Sequence, residues 1–156
     1  PAVLDVASVN PGFPARVDGF RFEFFAQERE CGRIAVPLPG GTAGFETAPA
    51  EVLEAALNGA DYSGCDGLFS PEERLTALFY RVLTRRGGGV TIPVVSCNHT
   101  PEYLAGLYPR PASIDLGNRM LAELALDELL RRISGAPGRA DHVAVIATPQ
   151  LVPGER

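Results

Sequence analysis

The chain has 156 residues, 46% of them hydrophobic and 21% charged, and a formal charge of −5. That length suits one compact domain, and the apolar fraction excludes a disordered chain. The negative charge argues against a surface that neutralises nucleic-acid phosphates by itself, and no apolar run approaches the roughly 18 residues of a membrane span.

Val3–Ala7 reads as a strand, closed by the break Asn10-Pro11-Gly12. Pro14 opens a helix to about Glu30 with Val17, Phe20, Phe24 and Phe25 on one face, and Gly32 suits a left-handed cap. Arg33–Leu38 reads as a second strand, followed by a loop to Thr47. Pro49–Asn58 reads as a helix with Val52, Leu53, Ala56 and Leu57 as its buried stripe. Cys65–Phe69 is a third strand. Ser70-Pro71-Glu72-Glu73 has the form of a capping box, with Ser70 and Glu73 satisfying each other's backbone. The helix it starts carries Leu75, Leu78, Phe79 and Val82 and stops at Gly87-Gly88-Gly89.

Thr91–Cys97 is a fourth strand, nearly all apolar. Asn98–Ser113 reads as a loop with room for one helical turn after Thr100-Pro101. Ile114-Asp115 leads into a long helix, Leu116–Ile133. Its apolar positions Met120, Leu124, Leu126, Leu129, Leu130 and Ile133 cover more than one stripe. Ser134–Asp141 is a linker, Val143–Ala147 a fifth strand, and Pro149–Arg156 a polar tail.

Strands alternating with helices predict an α/β fold: three layers, a mainly parallel sheet with helices on both faces. Ligands in such sheets sit beyond the carboxyl ends of the strands. The loops at those ends are Ser8–Ala15, Pro39–Thr47, Ser70–Glu72, Cys97–Ser113 and Thr148–Pro153.

Cys31, Cys65 and Cys97 are too widely spaced for a disulfide framework and fit a reducing cytoplasm. No metal-ligand spacing and no cofactor fingerprint is present. Cys97 and His99 follow the fourth strand and could form a thiol nucleophile with a base. A packed Cys97 beside a loop His99 accounts for them more simply. Arg16 lies in the first turn of the first helix, where its fork of donors can reach into a cleft or into solvent. Phe45, in a Gly-rich loop, either stacks on a ligand or anchors the loop.

Several motifs in this order resemble the effector domains of lactose-repressor-type transcription regulators. Arg16-Val17-Asp18-Gly19-Phe20 is similar to that family's Arg-x-x-Gly-Phe/Trp segment. Asp66-Gly67-Leu68-Phe69-Ser70 with Leu75-Thr76-Ala77-Leu78 resembles its strand end and following Ala-x-Gly helix. Gly89-Val90-Thr91-Ile92-Pro93 matches a Gly-x-x-Val-Pro turn. Tyr108-Pro109-Arg110-Pro111-Ala112-Ser113-Ile114 resembles its Pro-Pro-Leu-Thr-Thr-Ile hinge, and the Pro149–Arg156 tail its Pro-x-Leu-Val-x-Arg ending. The chain departs from the pattern at Pro71-Glu72, where the family has Asn-Asp, at Asn98, where it has Asp, and at Leu116, where a polar residue is usual.

The resemblance implies one half of a periplasmic-binding-protein-like type I domain. Residues 1–113 would form the C-terminal subdomain, and 114–156 a crossover helix, strand and tail. It implies a small-molecule effector, a sugar or a relative, held by Arg16 and Asn98 and more weakly by Phe45, Ser70 and Leu116. Operator DNA would be bound only through an N-terminal headpiece outside this chain, which opens at Pro1 and is expected to be a fragment. In the family the long helix crosses to the other subdomain. Without that subdomain, it is expected to pair with a second copy in a homodimer. The resemblance implies a cytoplasmic regulator with no enzymatic activity and no membrane association. The alternatives are a sugar transporter's solute receptor, which shares the fold, and a small α/β enzyme using Cys97 and His99.

Overall fold

The computed structural model describes residues 1–135, 144 and 146–155. Six strands form one sheet in the order β2-β1-β3-β4-β5-β6. They are β1 (Ala2–Val6), β2 (Gly32–Val36), β3 (Leu68–Phe69), β4 (Val94–Cys97), β5 (Ala112–Asp115) and β6 (Gln150–Val152). The first five are parallel, and β6 closes the edge antiparallel to β5, with Ile114 opposite Leu151. The chain winds outward from β1 to β2 and then reverses to β3, so the order changes direction between β1 and β3. With right-handed crossovers, the helix after β1 covers one face and the helices after β2 and β3 cover the other.

Those helices are α1 (Gly12–Ala26), α2 (Ala50–Gly59) and α3 (Glu73–Arg85), followed by α4 (Pro101–Leu104) and α5 (Asn118–Ile133). On the α2 and α3 face, Leu53, Leu57, Leu75 and Phe79 are fully buried, and Leu78 and Val82 nearly so. The Tyr62 ring meets Phe79 edge-on at 5.1 Å. On the other face Phe13 and Val17 are buried, and the Phe20 ring stacks on Phe69 at 4.4 Å. The α/β class, the parallel sheet and the apolar stripes of α2 and α3 are as the sequence predicts.

The differences have local causes. The first helix starts at Gly12, where the Asn10 side chain accepts from the Gly12 amide, and it ends at Ala26. Glu28, not Gly32, takes the left-handed turn (φ 55°), because Gly32 is already the first residue of β2, donating to the Pro1 carbonyl. Phe25 lies outside the buried stripe and is exposed, as is Phe22. The capping box does not form. Glu72 is the N-cap of α3, its carboxylate accepting from the Arg74 amide at 2.8 Å. Glu73 turns inward instead and is fully buried.

The end of the segment read as a loop, with Ile114 and Asp115, forms β5, and the tail forms β6. Both lack the apolar run that marks the other strands, and the sheet edge supplies their pairing. Of the strand expected over Val143–Ala147, Val143 and Val145 lie outside the described residues, and Ala144, Ile146 and Ala147 are described and lie in no strand. No helix among the described residues is long and apolar enough to cross a membrane.

Candidate functional site

Beyond the carboxyl ends of β1 to β4, the connecting loops enclose a cleft of about 290 Å³. Each of the four parallel strands contributes to it. Asn10, Phe13 and Arg16 follow β1, Phe45 and Glu46 follow β2, Glu72 and Arg74 follow β3, and Asn98 follows β4. The cleft straddles the point where the strand order reverses, the usual ligand position in an open α/β sheet.

Two side chains hold the walls together. The carboxylate of Glu46 accepts from the Ser8 hydroxyl and from the amides of Val9 (3.2 Å) and Asn10 (3.3 Å), joining the β1 and β2 loops. Burial pushes this carboxyl up, but the Ser8 hydroxyl and the backbone amides outweigh it and leave it below its usual range. Gly44 permits this approach, since a Cβ there would lie 2.8 Å from the Val9 nitrogen. Arg74 donates to the carbonyls of Phe45 (3.0 Å), Glu46 (3.3 Å) and Ala48 (2.8 Å), so its planar fork pins the β2 loop onto the start of α3.

The remaining polar groups face the cleft with capacity to spare. Arg16 spends one bond on the Pro71 carbonyl, at 2.9 Å. Glu72 is half-buried. Burial is the largest influence on it and, helped by Glu73, raises its carboxyl above the ordinary 4.5, against the lowering effect of the Arg74 and Leu75 amides. Asn98 sits at φ 109° at the end of β4, its amide donating to the Ile114 carbonyl at 2.9 Å. Among the described residues no side chain or backbone group bonds to its carboxamide. A strong donor, an acceptor and an amide that does both thus converge on one concavity, the arrangement that recognises a neutral, hydroxylated molecule.

The structure thus brings together Arg16, Phe45 and Asn98. Phe45 is only 4% exposed and lies against Phe13 at 5.0 Å, so it anchors the loop and leaves little ring surface for stacking. Ser70 and Leu116 are not cleft residues. Ser70 is fully buried below it, donating to the Glu72 carbonyl, and Leu116 packs against the core. Sequence reasoning missed Asn10, Phe13, Glu46, Glu72 and Arg74. Only Glu72 gave a signal, as a departure from the family pattern.

Cys97 is 2% exposed, and burial pushes its thiol up, Arg16 opposing and Glu73 adding to the effect. A thiol held protonated and enclosed lacks the setting of a nucleophile. His99 is positioned by its backbone, its amide donating to the Ser113 hydroxyl at 3.1 Å. Among the described residues, no cluster of His, Cys, Asp and Glu is placed to hold a metal. A larger concavity of about 470 Å³ lies between α4 and β6, where Leu104, Leu107, Pro111 and Val152 alternate with His99, Arg110, Ser113 and Glu155. Its two charged groups, Arg110 and Glu155, pair with each other at 3.8 Å and lie at the amino end of β5, not beyond the carboxyl ends of the strands.

No family model matches the sequence, and no curated protein matches it. The fold does match solved structures. A transcriptional regulator of the LacI family from Burkholderia phymatum aligns with a TM-score of 0.72 at 16% identity, over 99% of this chain and 54% of that one. A LacI-family regulator from Arthrobacter sp. FB24, in complex with lactose, aligns at 0.70 and 19% identity, over 99% and 55%. A periplasmic binding protein/LacI transcriptional regulator from Alkaliphilus metalliredigens QYMF, complexed with D-xylulofuranose, aligns at 0.66 and 17% identity, over 99% and 55%. The chain spans about half the length of these structures. At such identities the likeness establishes a shared periplasmic-binding-protein-like fold.

Proposed function

We propose that the chain is part of the effector-sensing domain of a LacI-type transcription regulator, and that its cleft takes a sugar or a closely related polyhydroxy molecule. The observation that carries this reading is the convergence of Arg16, Glu72 and Asn98 at the carboxyl ends of the parallel strands. Arg16 donates to hydroxyl oxygens, Glu72 accepts from hydroxyl protons, and Asn98 does both. The fold's likeness to regulators in complex with lactose and D-xylulofuranose supports the ligand class.

In this reading the effector favours one arrangement of two half-domains over another, by as much as it binds one better. The coupling to DNA is typically about 1–3 kcal/mol. Operator DNA is contacted by a headpiece outside this chain, whose own charge of −5 repels it. The regulator acts in the cytoplasm, as a homodimer, and catalyses nothing.

Calorimetric titration of the chain with a panel of mono- and disaccharides, lactose included, tests the reading. A saturable heat with at least one sugar, with affinity weakened in Asn98→Ala and Arg16→Ala variants that still fold, is expected. Heat from no sugar, or binding indifferent to both substitutions, overturns it.

A further inference from the structure

Glu73 is an acid with no exposed surface, one residue from the cleft yet pointing away from it. Both of its oxygens are engaged. One accepts from the Ser113 hydroxyl at 2.5 Å and the other from the Thr100 amide. The same Ser113 hydroxyl oxygen accepts from the His99 amide at 3.1 Å. Glu73 and Ser113 therefore grip two successive amides of one short turn, the turn that leaves β4.

That turn has an unusual backbone. Asn98 and His99 stand in succession at φ 109° and φ 53°, and neither is glycine. Consecutive left-handed side-chain residues persist only where surrounding bonds over-determine them. Here the bonds are identifiable. Asn98 is tied by its amide to the Ile114 carbonyl, His99 to Ser113, and Thr100 to Glu73. The conformation has a consequence for the cleft, because it sets the direction in which the Asn98 carboxamide leaves the backbone.

We propose that Glu73 is a positioning residue for ligand recognition: its buried carboxyl group, through Thr100 and Ser113, holds the left-handed turn that aims Asn98 into the cleft. The inference rests on the reading of the cleft as a ligand site. It gives a role to a fully buried acid, and it explains why Glu73 forgoes the capping box its sequence position offers. A polar residue fully buried and fully paired fixes one geometry rather than adding much stability.

Amide hydrogen exchange on the 156-residue chain, with lactose as the binding probe, tests it. Glu73→Met keeps the volume and removes both acceptors. Exchange at Thr100 and His99 should then rise by about tenfold relative to Phe79 in the middle of α3, the scale of one lost hydrogen bond. Glu73→Gln keeps an acceptor for Thr100 and should restore its protection. Ser113→Ala should release His99 more than Thr100. Thr76→Val breaks the neighbouring buried bond between Thr76 and Ser96, 2.9 Å long, and should leave both amides protected.

In the lactose titration, Glu73→Met should weaken binding in the parent chain and have no further effect in an Asn98→Ala background. Exchange that rises equally at Phe79, or a Glu73→Met effect of full size without Asn98, overturns the proposal. If the parent chain binds no lactose, the titration is run with whichever sugar of the panel it does bind; if it binds none, the sugar reading fails and the exchange pattern alone decides the role of Glu73.

Discussion

Glu72 and Glu73 are neighbours in sequence with the same side chain and opposite fates. One caps α3 at the rim of the cleft, and the other is sealed beneath it. Burial raises the Glu72 carboxyl above its ordinary 4.5. The folded chain therefore binds this proton more tightly than the unfolded chain does. The stability contribution is full below the unfolded value and is lost as pH rises through the folded one. The prediction is a comparison of urea unfolding for the parent and Glu72→Gln between about pH 4 and about pH 7. The stability difference should move in favour of Gln as pH rises. A difference that stays constant with pH would show that Glu72 carries no such penalty. A carboxylate kept at a cleft rim against its own stability is a common mark of a site held for binding.

At the scale of elements, α5 stands apart. None of its residues is buried, and Leu126, Leu129 and Leu130 are each more than half exposed. Its Arg131 and Arg132 draw Glu128 down to about 2, so its charged side is internally paired while, among the described residues, its large apolar side chains stay exposed. Burying one such side chain is worth about 1.5–3 kcal/mol, so several together drive association. The chain is expected to dimerise through α5 at micromolar concentration, and Leu129→Glu with Leu130→Glu should return it to a monomer. Sedimentation equilibrium checks this. A clean 16.6 kDa monomer for the parent chain would contradict it.

The broad apolar front of α5 was legible in its sequence, as were the stripes of α2 and α3, because each repeats at the helical period. What covers or uncovers a helix is not encoded in that period. The same limit explains β5 and β6, whose pairing comes from the sheet edge. It also explains Phe25, which the spacing put on the buried face of α1 although the helix turns it outward. In the cleft, Arg16 was legible from its place after the first strand, and Asn98 through the family resemblance. Glu46 and Arg74 were not, because their role is to bond to backbone groups of loops that meet only in the folded chain. The strand order, which brings the four loops together, left no trace in short apolar strands.

For the whole molecule, the sheet is a platform and the proposed ligand site lies at its carboxyl edge. Five parallel strands point the same way, and the reversal between β1 and β3 opens a gap that the loops line with Arg16, Glu72 and Asn98. The claim that this gap, and no other concavity, receives a sugar-like effector is tested most directly by backbone amide NMR during a titration with lactose and a panel of related sugars. The account predicts that a binding sugar shifts amides clustered at Arg16, Phe45, Glu72 and Asn98, and leaves those around Leu104, Leu107 and Val152 unmoved. Shifts confined to the concavity between α4 and β6, or no shifts with any sugar, would contradict it.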